Sequence, residues 1–305
     1  MTTVRPASRA SAPFPIDHPK LGPLRELTGT WIGSGFNLIA RPDFQNGKPF
    51  FLQLNSTIED LEFTRIGGGI PNRGSEQPDI SLHGLHYLQK VADCETHGAL
   101  HIETGMWVNV PQTTDPKAPA TVVRQSTIPH GDSLLAQSTF IKEAASGPVI
   151  DAVDSFPFTD SAIPSLNSAA KDILTNTAYI GPYLNTPLPS CGLPSGLDAR
   201  EMIRNPALLL QNAIKGQNII NTVVIQVSTA AVQGSTGILN IPFVVRNANA
   251  LQMDAIFWIE TVQPADGEAF LQLQYVQRVI LDFPPKPGAS IIHWPHISVA
   301  TLVKQ

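Results

Sequence analysis

The feature that most limits how this 305-residue chain can fold is a series of short β-prone runs cut apart by Gly, Pro, Asn and Asp clusters. The first seven runs are Trp31–Ala40, Phe50–Asn55, Thr57–Ile66, Gly84–Asp93, Ala99–Val110, Thr121–Pro129 and Leu134–Lys142. Strand chemistry returns in Ile219–Ser228, Gly237–Val245, Ala255–Val262, Ala269–Phe283 and Ile291–Val303. Strand-sized runs at roughly 8–12 residue spacing, with no helices alternating between them, argue against a parallel α/β sheet and predict a mainly β fold. Closing such a sheet removes its exposed edges, and closure requires the last strand to meet the first. The expected fold is therefore a closed antiparallel β-barrel in which Ile297–Val303 pairs with the strand beginning at Trp31.

The middle of the chain reads differently. Asp160–Thr177 and Asp198–Lys215 look helical, and Asp198 with Glu201 three residues on has the spacing of a capping box. Pro206 would split the second helix, because proline lacks a donor and clashes with the preceding turn. The expected organisation is a disordered tail over 1–20 and a single barrel domain over 21–305. A partly helical cap, 150–245, interrupts that domain.

Composition narrows the function. Charged residues make up 15% of the chain against a usual ~25%, so much apolar surface must be covered by loops, a partner or a ligand. The net charge is −5 and there is no basic run, which disfavours nucleic acid. No run of about 18 apolar residues occurs, so no membrane partner is expected. Met1–Pro15 has no apolar core of a secretory signal, and the protein reads as cytoplasmic. In that setting Cys94 and Cys191 are expected as reduced thiols, with a disulfide as the alternative. The low charge of Ala144–Ile163 and Ala178–Leu197 is compatible with a homo-oligomer contact.

Three stretches could carry chemistry. In Gly29-Thr30-Trp31-Ile32-Gly33-Ser34-Gly35, a Trp between glycines suits a barrel end plugged by an indole. In Leu100-His101-Ile102-Glu103-Thr104-Gly105-Met106-Trp107, strand alternation puts His101 and Glu103 on one face, where a carboxylate can orient an imidazole. In His296-Ile297-Ser298-Val299-Ala300, the small Ser298 and Ala300 share a face with His296 and leave room for a planar ligand. Periodicity alone turns the more apolar Ile297, Val299 and Val303 inward and His296 outward. Arg278 reads as a surface ion pair, and His130 and Asp79 as loop residues without a visible partner.

Taken in order, the Gly-Thr-Trp segment, the His-x-Glu-x-Gly-aromatic strand and the histidine-bearing last strand with its basic end resemble nitrobindin, a heme-binding relative of the lipocalin-like barrels. The resemblance covers roughly 21–145 and 250–305 and leaves the insertion uncovered. It implies heme b as cofactor, His296 as the iron ligand, and His101, Leu100, Trp31 and Ser298 around the cofactor, with His101 and Glu103 as catalytic residues. His293 is the rival ligand. It also implies a ferric heme that isomerises peroxynitrite or binds nitric oxide. The insertion, folded as a cap over the mouth, would add a pocket for a small organic substrate and peroxidase-like chemistry on it. A metal-free carrier of an apolar molecule stays open beside it, with Tyr275 and Arg278 as candidates for a carboxylate. So does an interaction domain built on the insertion.

Overall fold

The computed structural model describes residues 18–232 and 237–305, so the expected tail up to residue 17 lies outside the described residues. Ten strands form a closed antiparallel barrel. They are β1 (Gly29–Asp43), β2 (Lys48–Arg65), β3 (Ile80–Asp93), β4 (Ala99–Val110) and β5 (Thr121–Ile128). Then come β6 (Asp132–Ala144), β7 (Ile219–Ser228), β8 (Asn249–Val262), β9 (Phe270–Phe283) and β10 (Ile292–Lys304). Each pairs with its neighbours in sequence, and β10 returns to β1 from Trp31 opposite Lys304 to Leu38 opposite Ile297. The expected closure is found. At this seam a Cβ on Gly33 or Gly35 would sit 2.1 or 2.2 Å from a β10 carbonyl oxygen, so the glycines permit the close approach of the two strands.

Strands bounded by strong turn signals, β4 and β7, begin and end where the sequence places them. Other expectations are corrected. Phe50–Asn55 and Thr57–Ile66 are one strand, β2: Ser56 does not break it, and its carbonyl accepts from Cys94 N–H at 2.9 Å. Asp160–Thr177 is not a helix. The Asp160 carboxylate accepts from the backbone N–H groups of Lys171 and Asp172 and ties the segment as a loop, a local alternative to helix that Asp offers readily. The helix α1 instead spans Thr177–Asn185, capped by Asn176. Pro206 does split the second helix, into α2 (Ala199–Arg204, capped by Asp198) and α3 (Leu208–Ala213). Gly237–Val245 is a strand only at Ile238–Asn240; Pro242 then opens α4 (Pro242–Asn247), the position at which a missing N–H costs least.

β6 pairs with β7 although residues 145–218 lie between them, so β7 belongs to the barrel wall. The body of the insertion packs on the outer face of the barrel wall, and its tip reaches the rim at Cys94. The inner core holds Trp31, Phe63, Tyr87, Trp107, Phe257 and Leu302. A second core holds the opposite faces of β1, β8 and β10, among them Phe36, Leu38, Trp258, Ile297 and Val299, packed on Ile150, Leu166, Tyr183, Met202 and Leu209 of the insertion. The insertion therefore clamps the outer wall. This corrects the expected orientation of β10: Ile297 and Val299 are apolar because they face the insertion, and His296 faces inward.

The tip of the insertion is fastened. Cys94 and Cys191 form a disulfide across 97 residues, with Cα atoms 6.0 Å apart, which corrects the expectation of reduced thiols. It joins the tip to the turn between β3 and β4. Among the described residues no helix is long and apolar enough to cross a membrane.

Candidate functional site

The two barrel ends differ. One is closed by the turn His18–Leu24 and by Trp31, which is fully buried with Leu24, Leu27 and Leu61. The Trp31 indole N–H donates to Leu27 O at 2.6 Å, and the Lys304 ammonium lies 5.5 Å from its ring centroid. Six residues further along β1, roughly 20 Å at strand rise, Asn37 marks the other level, the mouth.

At the mouth, Ser298 stands opposite Asn37. Asn37 Oδ1 accepts from His296 Nε2 at 2.7 Å and from Ser298 Oγ at 2.9 Å. An amide oxygen only accepts, so this arrangement puts the imidazole proton on Nε2 and the lone pair on Nδ1. Burial pushes the His296 pKa down to about 3, with the neighbouring His101 and His130 acting the same way, so the ring is neutral at ordinary pH. The rings of His101 and His130 lie 5.8 Å apart. Burial, and then His101, also lower the His130 pKa.

Beneath the histidines lies a polar floor. His101 Nε2 meets Glu103 Oε2 at 3.3 Å. Glu103 Oε1 accepts from Arg124 Nη2 at 2.6 Å and from the Tyr87 hydroxyl. Burial alone would raise the Glu103 carboxyl. The Arg124 guanidinium and the hydrogen bonds from His101 and Tyr87 outweigh it and hold the group well below the usual carboxylate range. Arg124 also donates to Gln277 at 2.7 Å and lies within 5.7 Å of the Tyr87, Trp107 and Phe257 ring centroids. A second buried carboxyl, Glu59, accepts from Tyr275 at 2.6 Å and Thr57 at 3.0 Å, and burial raises its pKa.

Of the residues singled out from sequence, the structure turns His296, Ser298, His101 and Glu103 into the barrel interior, from strands on different sides of it. Trp31 is at the opposite end. Leu100 faces away from His101 and lines a groove of about 650 Å³ at the rim with Asp93, Cys94 and Pro187–Ser190. His293 is on the outer wall, 2.5 Å from Asp282 and packed on Phe158, so it does not share the space of His296. Arg278 is also outside, buried against Asp254 at 2.8 Å, whereas Tyr275 points in; the two do not form one carboxylate site. The inner Arg–Tyr pair is Arg124 and Tyr87, already engaged by Glu103. Sequence reasoning missed His130, Asn37, Arg124 and Glu59. Only register brings them together, because they lie on four different segments.

Among the described residues no group of three or more His, Cys, Asp or Glu side chains could hold a bare metal ion. A heme iron needs a single protein nitrogen at minimum. A neutral inward imidazole beside Ser298 and Ala300 fits that need, provided Nε2 releases Asn37 or Nδ1 serves instead.

No family model matches the sequence, and no curated protein does. Among solved structures the chain is similar to Rv2717c from M. tuberculosis, with 14% identity and a TM-score of 0.41 over 93% of this chain and 98% of that one.

Proposed function

We propose that the mouth of the barrel binds a small molecule through the neutral imidazole of His296, and that heme b is the ligand this donor set fits best. The observation that supports the reading is the convergence of His296, His101 and His130 above a sealed, charge-paired floor. A bound heme would supply redox or isomerase reactivity at its open position. The chain's own residues would do the rest. Asn37 orients His296. Glu103, kept ionised by Arg124, fixes the proton of His101 on Nε2 and leaves Nδ1 as an acceptor, so His101 can take a proton from a ligand in the mouth. The Cys94–Cys191 disulfide favours an oxidising compartment over the cytoplasm.

A second reading, a metal-free carrier of an apolar molecule, is favoured by the exposed apolar side chains around the mouth. Hemin titration separates the two. A sharp Soret band that shifts or vanishes in His296→Ala and persists in His293→Ala is expected. A wild-type protein without that band, or with a band indifferent to His296→Ala, would overturn the heme reading and leave the carrier.

A further inference from the structure

The exposed apolar side chains are distributed unevenly. The most exposed are Phe44 at 88%, Val149 at 81%, Leu239 at 76% and Phe243 at 71%. Ile291, Phe51, Val245, Ile241 and Ile32 follow at about half exposure or more. Of these, Val149 and Ile32 are away from the mouth. The other seven lie at that end, on the β1–β2 hairpin and the start of β2, the segment from Ile238 through α4, and the β9–β10 connection. α4 itself buries none of its residues. An apolar helix with no buried side chain, beside two other apolar tips on the same rim, contributes little to the fold and presents a surface.

The charge of these loops identifies what that surface meets. Residues 41–51, 238–248 and 283–292 carry the basic residues Arg41, Lys48, Arg246 and Lys286 and one acid, Asp43, on a chain whose net charge is −5. The acidic turn at Asp93 and Glu95, on the same end, carries no strongly exposed apolar residue, and both of its carboxylates are engaged, Asp93 by Asn55 and Thr96 and Glu95 by Ser190. Bulky apolar tips interleaved with cations on the loops around an opening suit an anionic lipid surface: the tips enter the acyl boundary and the cations sit at the headgroups. We infer that the mouth end docks on an anionic membrane through Phe44, Leu239, Phe243 and Ile291, without spanning it, so that the histidine-lined interior opens toward the lipid. The inference does not depend on the identity of the ligand inside.

The test is co-sedimentation of the full chain with vesicles of phosphatidylcholine, with and without phosphatidylserine. The wild type should sediment with the anionic vesicles and be released by salt. Phe44→Ser and Phe243→Ser should each weaken partitioning about tenfold or more, from the apolar area no longer buried. Lys48→Glu with Arg246→Glu should weaken binding to anionic vesicles only. Val149→Ser, at the other end, should change nothing. Wild type left in the supernatant with both vesicle types overturns the inference. So does binding that all four variants retain. So does self-association in analytical ultracentrifugation that the two Phe variants abolish while vesicle binding is absent, which would make the rim a contact between copies.

Discussion

The closed end and the mouth of this barrel are built from the same strands, yet they use them oppositely. At the closed end every inward side chain is apolar or tied: Trp31, Phe63 and Leu302 pack tightly, and the one polar group of Trp31 reaches Leu27 O. At the mouth His296, Ser298, Asn37 and His101 face inward beside the apolar Ala250, Met253, Val279 and Leu281, and further apolar side chains stand on the exposed rim. The difference lies in what is added to the packing: the closed end is mainly apolar inside, whereas the mouth carries a cluster of polar groups beside its own apolar core residues.

The strongest way to break that comparison is at the plug. Trp31→Ala should cost about 3–5 kcal/mol, since it leaves a large cavity and an orphan carbonyl. Chemical denaturation with an unchanged m value would measure it, and a loss under about 1 kcal/mol would mean that the closed end is not the stabilising one. Next in size is the disulfide. Cys191→Ser should cost about 2–4 kcal/mol by relaxing a long loop in the unfolded chain. Proteolysis should then cut first at Pro187–Gly192, and cleavage elsewhere would show that the insertion is held by its packing alone.

The barrel was largely legible in the sequence because turn residues punctuate its strands, and the closure of β10 on β1 follows from the need to cover edges. What was not legible has one physical cause. A strand buried on one face alternates, but β8 is buried along both faces, the inner by the barrel and the outer by the insertion. Periodicity cannot then say which face is in, and for β10 it chose the wrong one: Ile297 and Val299 look like core and are core, but of the second cluster. The low charge content carried the same message, since the covered apolar surface is the outer wall. Within the site, His101 and Glu103 were readable because they are two apart on one strand. Arg124, which keeps Glu103 ionised, joins them only through the pairing of β4 with β5.

The mouth should betray itself by pH. His296 has a folded pKa of about 3 against an ordinary 6.5, so below 6.5 the unfolded chain takes up a proton that the folded chain refuses. Stability from this group is therefore intact above pH 6.5 and declines as pH falls toward 3, with a slope of up to about 1.4 kcal/mol per pH unit. His296→Gln should flatten that part of the profile while keeping a hydrogen bond to Asn37. An unchanged slope would place the titrating group elsewhere, with His130 as the next candidate, since its pKa is lowered too.

The smallest expected effect sharpens the comparison most. Phe243 sits on α4, is 71% exposed, and touches neither core. Phe243→Ser should change stability by no more than about 0.5 kcal/mol, the usual range for surface positions away from special contacts. That is a sharp contrast with Trp31→Ala, because the two aromatic side chains are comparable in apolar area and differ in which end they serve. A thermal melt that leaves the Phe243→Ser midpoint in place means the ring is kept for something other than folding. A drop of several degrees means that α4 packs on the barrel in solution, and the mouth then belongs to the stabilising part of the molecule as much as the plug does.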